Sequence, residues 1–162
     1  MTFLLASLAS LLAMLSGLFG LQHDYGRNFL PIAPMATTTL AIDEINIVVE
    51  IADTDAARAR GLSGRPALAK NTGMLFVFAT ADDQSFWMKD MNFPLDIIWL
   101  DDHWRVIDVT QNISPKDFPK TYGPRAPARY VLEVNAGFIS AHHITIGAQV
   151  LCNTECRTSV NH

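Results

Sequence analysis

Short apolar runs rich in β-branched and aromatic residues alternate with turn-forming clusters from Thr38 to Leu151, the cadence of a domain built mainly from strands. The runs predict strands over Thr38–Ile42, Ile45–Ile51, Met74–Phe78, Ser85–Met88, Ile97–Leu100, Arg105–Val109 and Tyr130–Val134, with a last short one at Gln149–Cys152. Asp43-Glu44 and Asp101-Asp102 supply the polar turns of two hairpins. Two segments read as helix. The alanine-rich Asp55–Arg60 has Asp53 or Thr54 as N-cap and Gly61 as a left-handed end, and the second runs over Ala136–His142. Between Val109 and Ala128, Pro115, Pro119, Pro124 and Pro127 with Gly123 exclude a central strand. A loop that long in a small domain makes its rim a place to look for function. The predicted fold is mainly β (α+β): a compact curled sheet or partly open β-barrel with two short helices.

Upstream the pattern changes. Residues 1–20 hold no ionisable side chain, and their leucines surround a helix rather than stripe one face. Such a stretch is close to the roughly 20 residues that cross a bilayer, so it reads as a signal peptide or signal anchor. No Lys or Arg precedes it, and the nearest cleavage candidate is Ser16-Gly17-Leu18-Phe19-Gly20. Residues 21–37, with Gly26, Pro31 and Pro34, read as a linker, 38–152 as a single domain and 153–162 as a C-terminal tail. The expected location is therefore exported, periplasmic or extracellular. Residues 1–20 are the expected membrane contact, an inner-membrane anchor if they are retained.

Length and charge narrow the function classes. A chain of 162 residues has room for one ordinary domain plus an extension. Its 12 Lys and Arg against 16 Asp and Glu, a net charge of -4, make nucleic acid a poor partner. Cys152 and Cys156 form the only cysteine pair; an exported chain could bridge them, and without further ligands at standard spacing they are a weak zinc signal. No metal or cofactor is expected.

Candidate chemistry concentrates in Phe86-Trp87-Met88-Lys89-Asp90-Met91-Asn92-Phe93-Pro94-Leu95-Asp96. On a strand over Ser85–Met88, Trp87 and Lys89 share one face and Phe86 and Met88 the other. Asp96, ahead of an apolar run, needs Lys89, Arg65 or backbone donors if it is buried, and holding the proline corner is the simpler role. Glu133, within an otherwise apolar strand, lies on a solvent face or in a site; with Asp96 it forms the one plausible carboxylate pair for acid–base work. Ser63 between Gly61 and Gly64 lacks the Gly-x-Ser-x-Gly spacing of a hydrolase elbow and reads as a helix-ending turn. The tandem His142-His143 suits a helix C-terminus.

Taken in order, Ala-Arg-Ala-Arg-Gly-Leu at 57–62 with Arg65, Gly-Met-Leu-Phe-Val-Phe at 73–78, Phe-Trp-Met-Lys at 86–89, Pro-Leu-Asp-Ile-Ile at 94–98, Arg-Tyr-Val-Leu-Glu-Val at 129–134 with Gly137, and Ile144 with Gly147 resemble the bacterial and archaeal family called domain of unknown function 192. Ser63 stands where the family usually has Met, and Asp90-Met91 where it usually has Asn-Thr, which keeps an acceptor at position 90 but removes an amide donor. The resemblance implies a small, mainly β domain, often exported, with no agreed activity and no catalytic residues to carry over. Charge and placement then favour a non-catalytic cell-envelope module that binds a small molecule, glycan or envelope protein through Arg65, Trp87, Lys89, Asp90 and Asp96. The alternative is a hydrolase or lyase that uses Asp96 and Glu133 as its acid and base.

Overall fold

The structure, a computed structural model, describes residues 35–152. The leader-like segment and the tail with Cys156 lie outside the described residues. Nine strands and two short helices follow one another as β1 (Thr37–Ile42), β2 (Ile45–Ala52), α1 (Asp55–Arg60), β3 (Thr72–Asp82), β4 (Phe86–Trp87), β5 (Leu95–Leu100), β6 (Val106–Ile113), β7 (Thr121–Tyr122), β8 (Ala128–Asn135), α2 (Phe138–Ala141) and β9 (Val150–Cys152). Seven of the strands form one sheet in the order β6-β5-β8-β3-β2-β1-β9, and β4 pairs with β7 in a separate two-stranded ribbon. All pairings in the large sheet are antiparallel except β2 with β3, which α1 connects.

The sheet curls until its outer strands approach. Arg105 bridges Gln149, and the Val150 N–H donates to the Trp104 carbonyl at 2.9 Å. The Val106 N–H likewise donates to Ala148 at 2.9 Å. This half-barrel is the partly open barrel that the strand cadence implies.

Alternation along the strands divides the core in two. Leu75 and Val77 of β3, Ile98 and Leu100 of β5, and Leu132 and Val134 of β8 fill the inside of the curl, where Phe138 and Ile139 of α2 join them. Met74 and Phe76, Leu95, Ile97 and Trp99, and Val131 point outward into a second core, closed by Leu62 and Met88. Both faces of β5 are therefore buried, which explains its unbroken apolar run. β3 and β8 pack so closely that a Cβ on Gly73 would sit 2.6 Å from the Glu133 carbonyl oxygen, closer than real Cβ atoms come.

Local signals place the ends of α1 where the sequence puts them. The Thr54 hydroxyl accepts from the Ala57 N–H at 3.2 Å, and Gly61 ends the helix at φ 50°. Other boundaries shift. β1 takes in Thr37, Met35 packs on the outer core, and the Ala36 carbonyl accepts from Ile51, so the end of the expected linker belongs to the domain. β6 runs four residues past Val109, through a bulge in which Gln111 and Asn112 lie opposite Asp96. The proline-rich stretch contains a 3-10 turn at Pro115–Asp117 and the strand β7, which the sequence does not announce. α2 is shorter than the expected Ala136–His142, and Gly137 precedes it in the left-handed region at φ 85°. Cys152, on β9, is disulfide-bonded. Among the described residues no helix is long and apolar enough to cross a membrane.

Candidate functional site

A cavity of about 320 Å³ opens on the outer face of the sheet, between α1 with its following turn on one side and β4 on the other. Phe86 is the hub of its wall, with edge contacts to Phe76 at 4.8 Å, Phe78 at 6.5 Å and Trp99 at 5.5 Å between ring centroids. β4 pairs with β7 through Phe86–Tyr122 and Trp87–Thr121, and this ribbon holds Trp87 at the mouth of the cavity, 54% exposed. The proline-rich loop brings Phe118 edge-on to Trp87 at 5.9 Å, so that loop does reach the rim. On the opposite side the Gly61–Ser63 turn lines the cavity and is pinned to the segment after β4: Ser63 Oγ donates to the Lys89 carbonyl at 3.0 Å and the Gly64 N–H to the Asp90 carbonyl at 2.8 Å.

Two arginines of α1 and one acid also line the cavity. The Arg58 guanidinium is already committed. It donates to the Asp53 carbonyl at 2.6 Å, the Val77 carbonyl at 2.7 Å and Asp55 Oδ1 at 2.5 Å, and lies 5.4 Å from the Phe78 ring centre. Arg60 is exposed, and its charge acts on Glu50. Glu133 is 6% exposed and sits between Met74 of β3 and Ile97 of β5, its register partners and both fully buried. No hydrogen bond reaches its carboxyl among the described residues. Burial pushes its pKa up from 4.5 to about 8, so the group is neutral at pH 7.

The other sequence candidates are dispersed. Lys89 Nζ lies 5.8 Å from the Trp87 ring centre, although β4 is shorter than the expected Ser85–Met88 and Lys89 belongs to the turn after it. Asp90 is an exposed turn residue at φ 56°, and the contact it makes is through its carbonyl. Arg65 lies away from Trp87, in a bidentate pair with Glu50, with its second N–H···O contact at 2.8 Å; that hydrogen bond lowers the pKa of Glu50. The pair lines a separate cavity of about 310 Å³.

Asp96 takes the structural role, with the backbone donors among the partners expected for it. It is fully buried, and its two oxygens accept from the Asn112 N–H at 2.8 Å and the Ile139 N–H at 2.9 Å. The donors are backbone groups, not Lys89 or Arg65, and they tie the β6 bulge and α2 to β5. The β5–β8 register sets Asp96 opposite Val134 and Ile97 opposite Glu133, so the two carboxylates project from opposite faces of the sheet. They cannot act as acid and base across one bond.

Arg58, Phe76 and Phe78 line the cavity without having been site candidates in the sequence, and Ser63, read there as part of a helix-ending turn, lines it too. The one usable signal was the odd carboxylate in β8, which marks the floor of the site alone rather than as half of a pair. Asp101, Asp102 and His103 bring three ligand-type atoms within 4.8 Å of one another, but on an exposed turn where Asp101 Oδ1 already accepts from the His103 and Arg105 N–H groups.

Residues 38–152 match the domain of unknown function 192 family, described as an uncharacterized ACR. A UPF0127 protein of Thermococcus kodakarensis is 33% identical over 103 residues, a match covering 61% of this chain and 60% of that protein. The chain thus spans less than two thirds of that relative's length. A protein of unknown function from Novosphingobium aromaticivorans has a crystal structure similar at a TM-score of 0.68, with 30% identity, covering 75% of this chain and 89% of that one. A proposed transcription regulator of Sinorhizobium meliloti superposes at 0.69 with 26% identity, covering 73% and 95%. The segments at 57–62, 73–78, 86–89 and 129–134 that carry the family resemblance all contribute residues to the 320 Å³ cavity.

Proposed function

We propose that this chain, which belongs to the domain of unknown function 192 family, is a non-catalytic binding module that captures a small molecule in the cavity between α1 and β4. The observation that carries this reading is an exposed tryptophan at the mouth of an aromatic-walled cavity with an unbonded buried carboxyl at its floor. A volume of about 320 Å³ falls at the small end of ligand sites, which favours a small molecule over a glycan chain or a protein surface.

Trp87 provides the test because its fold contacts are few. Trp87→Ala is expected to change the unfolding free energy of the full chain by less than about 1 kcal/mol, as among the described residues its ring meets Phe118 edge-on and the exposed Lys89. A panel of small organic cations, organic acids and monosaccharides is screened by thermal unfolding. A ligand at 100 times its Kd stabilises by about 2.7 kcal/mol, and Trp87→Ala is expected to abolish that gain. Trp99 and Trp104 are buried, so acrylamide quenching reports Trp87 and should fall when the cavity fills. Loss of folding in Trp87→Ala would make this residue core and remove the basis of the proposal.

The apolar, uncharged residues 1–20 support an exported or membrane-anchored setting for this module. Fractionation of cells producing the full chain is expected to recover it from the envelope or the medium, and recovery solely from cytosol would count against that setting.

A further inference from the structure

Three acidic side chains are buried among the described residues, and two of them are satisfied. Asp96 accepts two backbone N–H groups, and Asp108 accepts from the Val109 and Arg125 N–H groups at 2.9 and 3.0 Å. Glu133 alone of the three has no hydrogen-bond donor, and it faces the 320 Å³ cavity. Its carboxyl opens on the cavity, so whatever fills the cavity is what can partner it.

The surroundings restrict what can complete it. Met74 and Ile97 flank Glu133 from β3 and β5, while Phe86 and Trp87 of β4 line the same cavity. The charged residues that line the cavity with it are Arg58 and Arg60. Arg58 is spent on Asp55 and two carbonyls, and burial is the cause of the Glu133 shift with no contribution from either arginine, so neither neutralises the carboxyl. An anionic ligand would find the Arg58 guanidinium already bonded and, once Glu133 ionises, a like charge at the floor. Ser63, Gln84 and Ser85 also line the cavity, so a neutral polyol is the competing class that the monosaccharides of the panel test. A cation finds both things it needs, a carboxylate and ring faces.

We propose that the cavity takes a small organic cation, an amine or guanidine with an apolar body, seated with its charge on the Glu133 carboxylate and its body against Phe76, Phe86 and Trp87. This inference rests on the binding reading above and names the ligand class. Because burial keeps the carboxyl protonated at pH 7, the arriving cation displaces that proton to solvent and leaves an ammonium–carboxylate pair. Affinity therefore rises about tenfold per pH unit up to pH 8 and levels off above it.

Calorimetric titration of the full chain with phenethylamine and its neutral counterpart 2-phenylethanol tests this. At pH 8.5 the amine is expected to bind at least about tenfold more tightly than the alcohol, and at pH 7 its binding should release about one proton, read from buffers of different ionisation enthalpy. Glu133→Gln should remove both the advantage and the proton release. Equal or tighter binding of the alcohol, or an amine advantage that survives in Glu133→Gln, would overturn the cation inference while leaving a binding cavity in place. No binding by either probe, with unfolding and Trp87 quenching unchanged, would overturn the inference; the proposed function falls as well only if the wider panel is also silent. Should Glu133→Gln fail to fold, the amine–alcohol comparison and the proton count in the unaltered chain decide by themselves.

Discussion

Between pH 5 and pH 8.5 the chain is expected to lose about 4 kcal/mol of folding stability through Glu133 alone. The folded-state pKa of this group stands at about 8, against 4.5 for an ordinary glutamate. Between those values the native state holds a proton that the unfolded chain has released, so stability is full below pH 4.5 and falls as pH rises to 8. The other displaced carboxylates, Glu50 and Asp117, have lowered values, so their contributions are lost only in acid and leave this window to Glu133. Urea unfolding of the chain and of Glu133→Gln at the two pH values checks the expectation. The unaltered chain should show the steep loss and the variant a nearly flat profile, with the variant the more stable at pH 8.5. Equal slopes in both would mean that water or a nearby group solvates the carboxylate, and the account of a dry, unpartnered Glu133 would be wrong.

Asp96 should behave in the opposite way although it is also a buried acid on the same sheet. Asp96→Ala is expected to cost about 3 to 5 kcal/mol, because the Asn112 and Ile139 N–H groups would lose their acceptors inside the protein. For a domain of this size that lowers Tm by about 10 °C or more. Asp96→Asn keeps one carbonyl acceptor but turns an amide donor toward the second N–H, so an intermediate loss is expected. Neither change should alter phenethylamine affinity in the fraction that stays folded, since the side chain lies on the inner face and the cavity on the outer. A variant of Asp96 that kept its Tm but lost cavity binding would return this residue to the functional site. Thermal unfolding and titration on the same sample separate the two outcomes.

These two carboxylates also show how far a one-dimensional reading extends. Each is recognisable as anomalous within its own strand, because an acid interrupts an apolar run in both Leu95–Leu100 and Ala128–Asn135. Alternation even indicates which neighbours each shares a face with. Whether the two meet depends on the register between β5 and β8. A one-residue slip exchanges every face, and nothing local to either strand encodes that register.

The mainly β class, the two helix positions and most strand centres were determined by the sequence itself. They follow from forces that act within a few residues: alternation, β-branched runs, the Thr54 cap and the Gly61 stop. The family could be read for the same reason, since its motifs are short and ordered along the chain. Tertiary structure alone decided the rest. β7 is two residues long and exists because β4, remote in the chain, pairs with it. Arg65 turns away from Trp87 because Glu50 of β2 captures its guanidinium. Asp96 becomes a structural bracket because the β6 bulge and α2 offer it N–H groups on the inner face. The cavity forms where α1, β3, β4 and β8 converge, and its chemistry depends on how dry Glu133 is left. Burial and register are sums over contacts distant in sequence, so the local pattern carries too little of either to reveal them.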